Sequence, residues 1–98
     1  MDELVERTLK WFDERKLNDP KAQLNKVIEE VGEIAHEVTR NRYDSPELLD
    51  ALGDTLVTII GMCHHLNVDP EIALATALTE IEGRKGKTVD GTFVKDNG

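Results

Sequence analysis

Apolar residues recur along the first part of the chain at spacings of three and four. Leu4, Val5, Leu9 and Phe12 mark one helix in this way. Leu24, Val27, Ile28, Val31, Ile34, Ala35 and Val38 fall in one arc at 100° per residue and mark a second. From Ala51 to Cys63 the pattern loses its polar face. "ALGDTLVTIIGMC" is apolar almost all round, which predicts a helix buried against several neighbours. Three dipeptides punctuate the chain: Asp19-Pro20, Ser45-Pro46 and Asp69-Pro70. Each pairs an N-cap side chain, which accepts a backbone N–H, with a proline that loses nothing at the first helical position. The expected helices cover about residues 3–15, 20–40, 46–66 and 70–83. After Gly83, "GRKGKTVDGTFVKDNG" holds four glycines and no helical period. It reads as a tail over about 84–98, with "TFV" as a short extended piece. The fold expected is all-α: a four-helix, bundle-like protomer of antiparallel helices with a short C-terminal tail, one domain over residues 1–98.

Composition narrows this picture. Ninety-eight residues allow one domain with a modest core, so assembly as a homo-oligomer is expected. Aromatics are only 4% of the chain, so Leu, Ile, Val and Ala must build the core, and that mix suits helix-on-helix packing. A formal net charge of −8 disfavours nucleic acid and anionic membranes as partners. The single cysteine, Cys63, makes neither an internal disulfide nor a zinc ligand set and reads as a small hydrophobe. Asp2, Glu3 and Glu6 stand where a signal peptide needs basic residues, and the longest apolar run is too short to span a bilayer. A cytoplasmic location is expected.

Charge raises the chemical question. In "KVIEEVGEIAHEV", Glu30, Glu33 and Glu37 form a stripe along one flank of the apolar arc, and Glu29 lies on the other flank. Like charges three or four apart repel, so a bare helix gains nothing from the stripe. Asp54 is the only charge in the apolar run of the third helix, and Asp50 lies one turn before it. An unpaired carboxylate there needs a partner or takes up a proton. A short connection makes the second and third helices antiparallel. Glu30, Glu33, Asp54 and Asp50 can then converge. Clustered carboxylates suit a hard cation, Mg²⁺ or Mn²⁺ rather than zinc, and Mg²⁺ binds substrate phosphates as well. The cluster therefore points to phosphoryl chemistry.

"EEVGE" at Glu29–Glu33, followed on the next helix by "LGD" ending at Asp54, resembles the EExxE and ExxD signature of the MazG-like all-α nucleoside triphosphate pyrophosphohydrolases. The resemblance runs from "WFDERKLNDPKAQLNKVIEEVGE" to "RKGK". One position departs: Ala51 stands where the ExxD glutamate is expected, and Asp50 is the obvious substitute. The resemblance implies a Mg²⁺-dependent cleavage of (d)NTP to (d)NMP and pyrophosphate, by a homodimer or homotetramer, with a role in clearing particular or non-standard nucleotides. It implies metal ligation by Glu30, Glu33 and Asp54. Glu29 would be an additional ligand or would position the water, and either Glu29 or Glu33 would be the general base. In this setting Arg84, Lys85 and Lys87, the one dense basic patch, would meet the triphosphate, as would Lys26. Trp11 would stack on a base.

Plainer readings stand beside each of these. Helix-flank glutamates are usually just solvated, and Asp54 can pair with Lys26. Arg84, Lys85 and Lys87 can complement a helix C-terminus. Trp11 can be core. His64 and His65 read as helix-end residues, His36 as a surface or interface residue. Gly53 and Gly61, two turns apart, suggest close helix approach. As a whole, the chain is either this hydrolase, a relative that binds nucleotide without turnover, or an acidic helical interaction module.

Overall fold

The computed structural model describes residues 2–96; Met1 and the last two residues of the expected tail and domain lie outside the described residues. All four expected helices are present: α1 (Glu3–Glu14), α2 (Pro20–Val38), α3 (Pro46–His65) and α4 (Pro70–Glu82). Asp19, Ser45 and Asp69 cap α2, α3 and α4 as their sequence predicts, each accepting a first-turn backbone N–H, and proline follows each cap. Asp2 does the same for α1.

The first three helices end alike. Lys16, Asn41 and Asn67 adopt left-handed backbone, with φ of 54°, 57° and 56°. The residue after each sends its N–H back to a carbonyl five residues earlier: Leu17 to Phe12, Arg42 to Glu37, Val68 to Cys63. This is the Schellman closure, built here without glycine. It turns the chain sharply enough for the next helix to fold back.

α2 and α3 are antiparallel. Early α2 meets late α3, where Gln23 Nε2 donates to the Thr58 carbonyl at 2.9 Å. Late α2 meets the start of α3, where Ser45 Oγ donates to Glu37 Oε1 at 2.7 Å. α1 crosses the C-terminal half of α3 and inserts Phe12, which is 4% exposed. Gly61 makes room for that ring. A Cβ there would lie 2.6 Å from Phe12 Cε1 and 2.7 Å from Gln23 Nε2. His64 and His65 flank the same ring, with centroids 6.1 and 5.7 Å from it. Burial, reinforced by His64, pushes the His65 pKa down. The Cys63 thiol is pushed up, mainly by burial, so it is not a reactive thiolate.

Three expectations are corrected, those for α3, α4 and the tail, and much of the α2 arc is open: Leu24, Ile28, Val31 and Val38 are exposed, Ile28 at 60%, while Val27 and Ile34 are half-buried. The seam instead takes the polar flank, because Gln23 and Glu37 find bonding partners on α3 and the α2–α3 turn. α3 is central but not enclosed, and Leu49, Leu52 and Leu56 remain open to solvent. α4 does not complete a bundle. It builds no packed interface on α1–α3, and all of its residues after the half-buried Pro70 are exposed. The tail is more ordered than expected: "TFV" is extended as read, and it pairs with a second strand. β1 (Gly86–Val89) and β2 (Thr92–Lys95) form an antiparallel hairpin, with Val89 paired to Thr92. Asp90 and Gly91, with φ of 50° and 78°, make its turn. Asp-Gly between two short apolar runs favours this two-residue turn. Phe93 lies against Gly86, where a Cβ would sit 2.7 Å from Cζ.

The two glycines of α3 divide: Gly61 marks a close approach, whereas nothing lies within 4 Å of a Cβ at Gly53. Among the described residues no helix is long and apolar enough to cross a membrane. Gly61→Ala forces Phe12 or Gln23 to move. It should cost about 1–3 kcal/mol, as overpacking of a core does, read by urea unfolding followed through Trp11 fluorescence; an unchanged midpoint would show that α1 is not seated through this contact.

Candidate metal centre

The seam between α2 and α3 has three polar layers seven residues apart on α2: Gln23, Glu30 and Glu37. Seven residues are nearly two turns, so all three face α3. The outer layers are satisfied. Gln23 is bonded to Thr58. Glu37, 5% exposed, accepts from Ser45 Oγ and lies 3.5 Å from the Arg42 guanidinium. The middle layer is different. Glu30 Oε2 is buried and has no hydrogen-bond partner. Burial is the main force pushing the Glu30 pKa up; the Glu33 charge comes next, then that of Asp54, and a side-chain hydrogen bond with Glu33, open to the protonated form, and the Glu29 charge add to it.

The structure therefore brings Glu29, Glu30, Glu33 and Asp54 into one electrostatic neighbourhood. Glu30 and Asp54 are half-buried; Glu29 and Glu33 are exposed. Among the described residues no cation pairs with Asp54. Lys26, its proposed partner, lies 3.6 Å from Glu29 Oε2. Asp50 is exposed on the next turn of α3, while Ala51 takes the inward position and is 2% exposed. That difference of one residue turns Asp50 about 100° away from the seam. It still lines a cleft of ≈ 410 Å³ together with Glu33, His36, Glu37, Arg42, Ser45 and Glu47.

The donors suit a hard divalent cation, being carboxylate oxygens with one buried atom lacking a partner. Among the described residues no three His, Cys, Asp or Glu side chains reach ligand spacing in the single chain. Mutual repulsion of the carboxylates opposes a tighter approach.

Other sequence-predicted residues are elsewhere. Arg84 pairs with Glu80 at 3.3 Å, Lys87 lies on β1, and neither they nor Lys85 line the cleft. Trp11 has the Arg15 guanidinium 4.1 Å above its ring, so one face is occupied. A second, open depression of ≈ 550 Å³, lined by Lys10, Asp13, Cys63, His64 and Asp69 among others, holds none of the predicted site residues. The polar seam partners Gln23, Ser45 and Arg42 have no part in the sequence-derived site. The seven-residue spacing of Gln23, Glu30 and Glu37 is the signal that exposes them.

Residues 18–87 match a family model described as the MazG nucleotide pyrophosphohydrolase domain. Nucleoside triphosphate pyrophosphohydrolases of Escherichia coli strain K12 and of Escherichia coli O157:H7 are each 33% identical over 61 residues. Those residues are 62% of this chain and 23% of each relative, so the chain spans less than a quarter of the length of the curated relatives it matches. No solved structure matches.

The raised Glu30 pKa has a definite sign. Protonation relieves the seam, so the penalty is absent below the ordinary carboxylate range and grows as pH rises through the raised folded value. Metal-free protein should lose thermal stability over that interval. Glu30→Gln should flatten the loss and raise the metal-free Tm at neutral pH. Added divalent cation should raise Tm in the natural protein and not in the variant, as scanning calorimetry with and without chelator can show.

Proposed function

The chain belongs to the MazG nucleotide pyrophosphohydrolase family, and from that premise we propose that it hydrolyses nucleoside triphosphates to the monophosphate and pyrophosphate with Mg²⁺, Mn²⁺ serving as a substitute. One observation carries the reading: the buried, partnerless Oε2 of Glu30, with Glu33 and Asp54 around it. An interaction module has no use for such an atom, whereas a hydrolase that needs a cation does.

In this reading Glu30, Glu33 and Asp54 hold the metal, and Asp50 supplies from the cleft wall the carboxylate that Ala51 lacks. A divalent cation held by these carboxylates would supply positive charge to the phosphate oxygens and to the departing pyrophosphate. Glu33 or Glu29, both solvent-facing beside the half-buried pair, takes the proton of the attacking water. The bond between the α- and β-phosphates breaks, the water oxygen becomes part of the monophosphate, and pyrophosphate leaves with the bridging electrons. Lys26, on the turn before Glu30, would meet a phosphate oxygen on leaving Glu29, and Trp11 would stack its remaining face on a base. The exposed apolar faces of α2, α3 and α4 support a homodimer or homotetramer as the working state. The role that fits is limitation of particular nucleoside triphosphates.

Pyrophosphate release from a panel of standard and modified nucleoside triphosphates, with Mg²⁺, Mn²⁺ or chelator, tests this directly. Metal-dependent release matched by monophosphate is expected. Glu33→Gln should reduce turnover at least about 100-fold, the scale expected when a positioned base or ligand is lost, while circular dichroism shows helicity unchanged. Turnover at the natural rate in that variant would remove Glu33 from the mechanism.

A further inference from the structure

Phe12 is the one buried residue of α1, and α1 packs chiefly on α3. What surrounds that ring therefore decides whether α1 stays docked. Two histidines surround it. The His64 ring lies tilted by 31° to Phe12, the His65 ring stands edge-on at 84°, and the two imidazole centroids are 5.7 Å apart. Both side chains are half-buried at the C-terminal end of α3, and each has a buried Nδ1 with no hydrogen-bond partner. A neutral imidazole meets this with Nδ1 as its bare acceptor, whereas an imidazolium must donate from both nitrogens. A proton added at either Nδ1 is a buried donor without an acceptor, next to an aromatic ring.

Charged groups reach the pair from several elements. α1 supplies Asp13, whose Oδ1 lies 3.7 Å from His64 Nε2, and Lys10, which lines the same open depression as His64. The α1–α2 connection brings Asp19 and the Leu17 backbone, which is hydrogen-bonded to the His65 ring. The α3–α4 connection adds Asp69, beside Cys63 and His64 in that depression. α2 brings the uncharged Gln23, close to Gly61 and to Phe12.

The two rings are therefore not equivalent. A proton on His64 finds Asp13 as a counter-charge. His65 is held below the ordinary histidine value by burial and then by His64, and Asp19 and the Leu17 bond offset only part of this. The same ring touches Phe12 and the corner where α1 turns into α2, so a charge on it acts on both anchors of α1.

We propose that the His64–His65 pair is an acid-operated latch on α1: neutral, it lets Phe12 seat against Gly61; charged, it releases α1 from α3. The sign follows from the direction of the His65 shift. Docking is at full strength above the ordinary histidine value of about 6.5 and weakens as pH falls below it. One linked proton raises the opening constant of α1 by up to about tenfold per pH unit, and the rise levels off once the docked form itself takes the proton. Trp11 is on the released helix and moves with it. The latch rests on α1, α3 and their connections, and it stands whether or not the chain hydrolyses a triphosphate.

Native-state hydrogen exchange on the natural protein, corrected for the intrinsic effect of pH, tests the latch. Amides of α1 should lose protection relative to those of α2 by up to about tenfold per pH unit below about pH 6.5. His65→Gln, neutral at every pH, should abolish that dependence. Should this variant not fold, the ring signals of His65 in the natural protein decide the matter by nuclear magnetic resonance: they should move only as α1 opens. Protection of α1 that is independent of pH, an equal acid loss in folded His65→Gln protein, or a His65 ring that takes its proton while α1 stays docked would each overturn the latch.

Discussion

The contact on which the site depends is the face α2 turns toward α3. A helix with a well-formed apolar arc would ordinarily bury that arc. Here it buries Gln23, Glu30 and Glu37 instead. Two of these three earn their place with neutral or charge-assisted hydrogen bonds, which offset the loss of water. Those two layers lock α2 and α3 in register above and below Glu30. The middle carboxylate is thereby held out of solvent with one oxygen unbonded, next to Glu33 and Asp54. The strain of the site is imposed by satisfied neighbours, as in other functional centres where a local penalty is outweighed by surrounding structure.

The same choice leaves the apolar arc of α2 outside. With Ile28, Val31 and Val38 open on α2, Leu52 and Leu56 open on α3, and α4 uncovered, the buried apolar core among the described residues is limited to Phe12, Leu48 and Ala51. A core of that size cannot offset the conformational entropy of an ordered chain of this length. Stability and chemistry are thus coupled: the polar seam can exist inside the protomer because the apolar faces have another use. A chain that closed its own bundle with the arc inward would have to turn Glu30 to water.

Much of the fold was legible. The three cap-proline pairs located the starts of α2, α3 and α4, because both residues act locally and no tertiary contact competes with them. "EEVGE" and Asp54 likewise led to a shared neighbourhood, since a charge inside an apolar run has few physical outcomes. What periodicity left open was the direction of the amphipathic arc. Hydrophobic periodicity says that a face is covered, not whether its own chain covers it. The hairpin was hidden for a different reason. Glycine density suggests irregular chain, and the Asp90-Gly91 pair that nucleates β1–β2 pairing was outweighed by it. Asp50 shows the limit of spacing arguments: it shares a face with Asp54 by count, yet Ala51 is the residue that turns into the seam.

The position of Ala51 also bears on how demanding the site can be. A glutamate there would add a fifth carboxylate to Glu29, Glu30, Glu33 and Asp54, in a seam where Glu30 already resists ionisation. Alanine relieves that repulsion and lets α2 and α3 approach, with Thr55 Oγ1 donating to the Ala51 carbonyl at 2.7 Å. The carboxylate that position 51 does not carry has a neighbour one residue earlier on the same helix, in the exposed Asp50. An exposed carboxylate keeps its hydration and can turn toward a cation only when one is present. In the proposed site, Asp50 in place of an inward glutamate would exchange a preorganised ligand for an adaptable one, with less standing repulsion to overcome in the folded chain.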